Sequence, residues 1–221
     1  MKFLSKVFSG LLVTAFLANS VLAITLKSYV EEINTYIVKG LYDSAIKRAN
    51  TALTGYPTSS ELYALRGGAY MIKEQYKQAY ADLNKAIEYD ENNKDAYILR
   101  SFLKYLYYNS PQGAYIDAAR CVEIDPNYGP CYSARGIIRM MPELNDLEGG
   151  LDDVQKGFNM EISDVEMLKA GNDLLDSTRG LMSFMKNDSH DMDKFDKSLN
   201  DFSNKLDKFV DKATDYTNNN K

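Results

Sequence analysis

The chain has 221 residues, with 26 Lys and Arg against 31 Asp and Glu, for a formal net charge of −5. So acidic a chain lacks the basic footprint that nucleic acid or an anionic membrane surface requires, and neither is expected as a partner. Five prolines, no tryptophan and 17 tyrosines suit an all-helical chain whose tyrosines need a packing explanation.

Residues 1–23, MKFLSKVFSGLLVTAFLANSVLA, read as a secretory signal peptide. Lys2 and Lys6 precede the apolar run Leu11 to Leu17, and Val21-Leu22-Ala23 supplies small residues at a cleavage spacing. The competing reading is an uncleaved anchor, because residues 7–26 are nearly long enough to span a bilayer. Cleavage removes two lysines and no acid, which moves the formal charge from −5 to −7. The expected location is periplasmic or secreted, with no membrane contact after cleavage.

From residue 24 to 162 the chain repeats itself. Tyr29, Tyr63, Tyr97 and Tyr132 recur every 34 or 35 residues. Small residues follow at Ala45, Ala79, Ala114 and Gly150, and again seven later at Ala52, Ala86, Cys121 and Gly157. Pro57 and Pro126 close two units and Glu91 stands in for proline once. The units are 26–59, 60–93, 94–128 and 129–162, each with two apolar stretches at helical spacing around a short turn. One such hairpin cannot bury its own apolar face, so neighbours must stack.

The stretch LYALRGGAYMIKEQYKQAYADLNKAIEYDENN resembles the tetratricopeptide repeat, with tyrosine in the usual tryptophan place and Gly67 and Tyr70 where that family has them. The resemblance covers residues 26 to about 160. Ile33 replaces the glycine of the first unit, and Ser101 and Lys104 replace the glycine and tyrosine of the third. The fourth unit has Arg139 for the tyrosine and two extra residues before Gly150. The resemblance implies an all-α fold, a right-handed α-solenoid of about four helix hairpins, here followed by a C-terminal helical hairpin as cap. It implies a protein-binding scaffold without naming the partner.

One charge pattern goes beyond the family. Arg66, Arg100 and Arg135 lie on the first helices, and Asp82, Asp117 and Asp153 on the second helices of the same units; the first unit inverts this with Glu32 and Arg48. Pairing within units gives opposite charges four times, whereas pairing between units sets Arg48 against Arg66. The expected role is a set of structural pairs that fix register. The alternative is an arginine row presented to an anionic ligand.

Cys121 near the end of one helix and Cys131 near the start of the next flank the turn Asp125-Pro126-Asn127-Tyr128 at similar distances. Two antiparallel helices folded about that turn bring the thiols face to face, and an exported chain meets an oxidising compartment. A structural disulfide is expected; two small buried thiols are the alternative.

By the resemblance, the concave surface is lined by the first helices. Its inward-facing residues would be Val30, Asn34, Ile37, Ala64, Gly68, Met71, Ile98, Phe102, Tyr105, Ser133, Ile137 and Met140. The set is too poor in lysine and asparagine for a carboxylate clamp, and suits a helix or an apolar peptide of another protein. Either such a partner or the chain's own C-terminal region covers it.

Residues 163–216 are not repeat-like. Ser163-Asp-Val-Glu166 reads as a capping box opening a helix to about 186, with Met167, Leu168, Leu174, Leu175, Leu181, Met182 and Met185 on a wide apolar face. Met192, Phe195, Leu199, Phe202, Leu206, Phe209, Ala213 and Tyr216 then alternate three and four apart on an otherwise charged helix. That stripe caps the solenoid, joins two copies of the chain through residues 192–216, or fills the groove. Residues 217–221 read as a disordered tail.

Catalysis is not expected. The single histidine, His190, lies in an acidic tract without the glycine and distal glutamate of a calcium loop, and no nucleophile, phosphate loop or cofactor motif is present. No metal and no cofactor are implied. The sequence supports an exported interaction scaffold in envelope assembly or secretion, and, as the alternative, a structural subunit that self-associates through its C-terminal helix.

Overall fold

The structure, a computed structural model, describes residues 25–186 and 192–219. The signal-peptide reading and the tract around His190 lie outside the described residues. All regular structure among those described is helical. Helix α1 spans residues 25–38. It is followed by α2 (Tyr42–Gly55), α3 (Ser60–Ile72), α4 (Tyr76–Tyr89), α5 (Lys94–Leu106) and α6 (Pro111–Ile124). Then come α7 (Gly129–Arg139), α8 (Leu147–Glu161), α9 (Val165–Lys186) and α10 (Met192–Asn219).

Two kinds of turn alternate along the repeats. Inside each hairpin a left-handed residue lies in the turn after the first helix: Gly40 (φ 71°), Glu74 (φ 59°), Asn109 (φ 46°) and Asn145 (φ 50°). The next amide closes the turn by bonding back to a helical carbonyl, Leu41 to Tyr36 and Gln75 to Tyr70. This is the six-residue closure of a Schellman turn. In the third hairpin Ser110 reaches back to Lys104, and in the fourth Asp146 reaches back to Arg139. The turn thus lengthens by one residue at each of the last two steps, which is how the period grows from 34 to 36 without disturbing the helices.

Between hairpins one backbone bond repeats, and at the second and third of these turns an aspartate joins it; at the first the Ser59 amide donates to the Tyr56 carbonyl. The Asn93 amide donates to the Asp90 carbonyl and that of Tyr128 to the Asp125 carbonyl. The Asp90 and Asp125 carboxylates each accept the amide two residues on, from Asn92 and Asn127, at 3.0 Å. These side chains act as turn templates. Asn93 then caps α5 by accepting the Ala96 amide at 2.9 Å.

The described residues form two compact units, one ending at Leu103 and one beginning at Lys104. The first is built on Ile33, Ala45, Ala49, Leu62, Ala69, Ala79, Leu83 and Ala86, all fully buried. Within it α2 packs on α3 and α3 on α4. The second unit has Ala114, Ala118, Cys121, Cys131, Ile138 and Leu151 in its interior. Within it α6 packs on α7, α7 on α8, α8 on α9 and α9 on α10. The change of character at 162/163 is therefore not a gap in packing; the division falls inside α5. Helices α7 and α8 cross closely enough that a Cβ on Gly136 would lie 2.5 Å from the Gly150 carbonyl oxygen, and one on Gly150 would lie 2.8 Å from that of Gly136.

Three C-terminal expectations change. Helix α9 begins at Val165, and its cap is Asp164, whose carboxylate accepts the Met167 amide at 2.7 Å. That start places Met167 at the third helical position, so Glu166 cannot close a capping box with Ser163 and pairs with Lys212 of α10 instead. Helix α10 runs on through Asn219, with Thr217 bonding the Thr214 carbonyl at 2.9 Å, so residues 217–219 are not a tail. The apolar stripe also splits. Phe195, Phe202, Phe209 and Tyr216 are half-buried, while Leu199 and Leu206 are exposed.

Helices α9 and α10 form an antiparallel pair in a single register. Glu166 meets Lys212, Ser177 donates to Asp201, and the Phe184 and Phe195 rings lie 5.6 Å apart. Phe158 of α8 reaches α10 as well, 6.0 Å from the ring of Phe209.

Candidate functional site

In the first, second and fourth hairpins an arginine is held by an acid of the other helix. Arg48 Nε donates to Glu32 Oε2 at 2.7 Å. Arg66 grips Asp82 with two bonds, Nε to Oδ2 and Nη2 to Oδ1, both 2.7 Å. Arg135 does the same to Asp153 at 2.7 and 2.6 Å. In the third hairpin Asp117 takes Lys104 Nζ at 2.8 Å, and Arg100 Nη1 donates to Asn84 Oδ1 at 2.8 Å. The Arg100 contact has a counterpart one hairpin earlier, where Arg66 Nη1 donates to Asn50 Oδ1 at 2.6 Å. Each nitrogen of the Arg66 guanidinium thus has a protein partner, and three of its five N–H groups are taken by them.

The periodic tyrosines lie beneath these arginines. Guanidinium carbons sit 4.1 Å (Arg48 on Tyr29), 5.4 Å (Arg66 on Tyr63), 5.5 Å (Arg100 on Tyr97) and 5.3 Å (Arg135 on Tyr132) from the ring centres. Cation–π attraction supports each arginine from one side. The sequence reading found the arginines and the tyrosines but not this link between them. It also missed Asn50 and Asn84, whose spacing of 34 was the available signal.

Two departures from the repeat pattern acquire a reason here. Lys104, in a tyrosine place, supplies the charge that meets Asp117. Arg139, in the corresponding place of the fourth hairpin, bonds Asp146 at 2.8 Å and Asp153 at 3.0 Å and so staples the longest turn. Burial alone would raise the Asp153 carboxyl. Hydrogen bonds from Arg135 and Arg139 outweigh it and hold that group below the usual carboxylate range.

The candidate groove residues fall into three rows of equivalent positions. The row Val30, Ala64, Ile98 and Ser133 turns largely inward. Val30 and Ala64 are buried with Ile33, Ala45 and Leu62 and cannot be touched by a partner in this structure. The reason is helical phase: one position of every four on these helices must serve the hairpin's own interior. Ser133 lies against Gly157 of α8, while Ile98 is half-buried.

In the second row Gly68 faces Leu99 of α5, Phe102 is half-buried, and Asn34 and Ile137 are exposed. The third row is the most regular: Ile37, Met71, Tyr105 and Met140, spaced 34, 34 and 35 apart, are all half-buried. Ile37 and Met71 rest on the first core. Tyr105 hydrogen-bonds Glu143, and burial together with that carboxylate pushes its hydroxyl pKa up, which keeps it a donor.

Cys121 and Cys131 are joined by a disulfide, with Cα atoms 5.4 Å apart, tying α6 to α7 across the turn between the third and fourth hairpins. Both residues are fully buried.

No protein-family model matches the chain. Among curated proteins it is similar to Hsp70-Hsp90 organizing protein 3 of Arabidopsis thaliana, 24% identical over 144 residues, which is 64% of this chain. It is also similar to RNA polymerase II-associated protein 3 of Xenopus tropicalis, 29% identical over 126 residues, or 57% of this chain. These matches span 25% and 18% of those relatives' own lengths. Among solved structures, pilF of Pseudomonas aeruginosa superposes with a TM-score of 0.62 at 13% identity, covering 84% of this chain and 75% of that one. A thermophilic TPR protein of Thermus thermophilus gives 0.59 at 14% identity, covering 79% and 98%. The fold is that of the tetratricopeptide-repeat solenoids.

Proposed function

We propose that this chain is an exported protein–protein interaction scaffold that holds an apolar peptide or helix of another protein against its first helices. The observation that carries the reading is the row Ile37, Met71, Tyr105 and Met140. Four successive hairpins offer an apolar or aromatic side chain, partly open to solvent, at the same position. Ile137 and Phe102 widen the surface beside it. Periodic apolar anchors suit a partner with periodic side chains of its own. Of the periodic arginines, Arg48, Arg66 and Arg135 bond acids of their own hairpins, and Arg66 and Arg100 bond asparagines of the preceding one. The signal-peptide reading sets the activity in the periplasm or outside the cell, in envelope assembly or secretion.

The test uses a photo-crosslinking residue at position 137 in the cell that makes the protein. The expected result is one discrete adduct in the envelope fraction, lost when Tyr105→Lys is added while the thermal melt stays unchanged. No adduct, or an adduct indifferent to Tyr105→Lys in a folded protein, defeats the proposal. A second reading is self-association through α10, on which Leu199 and Leu206 are exposed. Light scattering separates the two, since the scaffold is a monomer and the structural subunit is not.

A further inference from the structure

Helix α10 carries a second apolar surface that its packing leaves open. Leu199 is 43% exposed, Leu206 38% and Val210 51%. With Ser203 they succeed one another four, three and four residues apart, so at 3.6 residues per turn they form one row. The neighbouring row, Phe195, Phe202, Phe209 and Tyr216, is half-buried and faces α9 and Phe158 of α8. The aliphatic row therefore rises from a packed floor.

Its free flank is acidic. Asp196, Asn200 and Asp207 are exposed and run parallel to the row, each three residues before Leu199, Ser203 and Val210. The lysines of the same helix point elsewhere. Lys205, Lys208 and Lys212 line the crevice of about 450 Å³ between α9 and α10 with Glu166 and Asp173. Of these, Lys212 pairs with Glu166 and Lys205 with Asp201. Lys205, Lys208 and Lys212 of α10 thus lie toward α9 together with Asp201 and Asp211, while Asp196 and Asp207 lie beside the open apolar row.

We propose that this face docks a basic amphipathic helix of another protein, its aliphatic stripe on Leu199, Leu206 and Val210 and its lysines or arginines over Asp196 and Asp207. Complementary charge beside an apolar strip selects such a partner and rejects an acidic one. A second copy of this chain is a poor occupant. Two antiparallel α10 helices meeting on this row would set acidic flank against acidic flank.

The probe is a labelled leucine–lysine peptide of about 18 residues, long enough to be helical, with a leucine–glutamate peptide as control. Binding to the full chain is read by fluorescence anisotropy. The basic peptide binds, the acidic one does not, and salt weakens the complex. Leu199→Ser with Leu206→Ser, both at exposed sites, weakens binding at least about tenfold, or about 1.4 kcal/mol. Asp196→Lys with Asp207→Lys does the same, while Glu88→Lys with Glu91→Lys, an equal charge change in the first unit, has a much smaller effect. Absent binding, indifference to the leucine pair, or equal losses from the two charge reversals overturns the proposal. So does a dimeric parent that the leucine substitutions turn into a monomer, because a second copy then covers the row.

Discussion

Arg66 shows how much one side chain is asked to do. Its side chain is 17% exposed and that of Asp82 7%, so the pair is largely out of water, and the same guanidinium holds Asn50 of the preceding hairpin. A buried ion pair contributes little against an apolar replacement, but stranding one partner costs heavily. Arg66→Ala is expected to destabilise the protein by about 2–4 kcal/mol, and Arg66→Leu with Asp82→Leu by clearly less. Urea melts of the two variants measure the difference; equal losses would remove the ion pair as the cause. Glu74 predicts in the opposite direction. It holds φ 59° where the other hairpins use Gly40, Asn109 and Asn145. Glu74→Gly relieves a conformation that costs a residue with a Cβ about 1–2 kcal/mol. Part of that gain is lost to the freedom of glycine in the unfolded chain. The melting temperature should rise.

At the scale of helices, the close crossing of α7 and α8 is the most sensitive element. A methyl group on Gly150 would press on the backbone of Gly136 and on Met140, and backbone cannot swing aside as a side chain can. Gly150→Ala is therefore expected to cost about 1–3 kcal/mol as overpacking, more than an alanine at open Gly55, where nothing lies within 4 Å. A Gly150→Ala variant that melts as the wild type does would mean that the two helices can part without loss. The same element shows what was legible in the sequence. Small residues at Gly136, Gly150 and Gly157 advertise a close crossing, because no larger residue fits. The fate of the α10 stripe was not legible. Phe202 and Leu206 are both apolar and both fit a heptad pattern, and only the position of α9 decides which one is covered. Asp164 displaced Ser163 as the cap of α9 for a similar reason: both residues cap well, and the choice rests on where the preceding helix releases the chain.

Across the whole molecule the period of 34 was readable because each hairpin must present the same face to its neighbours, so Tyr29, Tyr63, Tyr97 and Tyr132 cannot drift. The inward row was misjudged at Val30 and Ala64 because an apolar residue on a first helix serves core and surface alike, and only packing separates them. The disulfide joins the third hairpin to the fourth, and closing so short a loop is expected to stabilise by about 3 kcal/mol in the chain-entropy model. Reduction should lower the melting temperature while the circular dichroism stays helical. Two titratable thiols in native oxidised protein would contradict the bond.

That bond also decides what survives a cut. The turn between α6 and α7 exposes Pro126 and Asn127, within the ten-residue interval from Cys121 to Cys131 that the sulfurs close. A protease that severs this turn breaks the polypeptide without separating its halves. The nicked molecule migrates as one band until a reductant is added, and then as two. Cleavage elsewhere, in the exposed residues of another turn between hairpins, meets no such covalent tie and leaves a fragment held by packing alone.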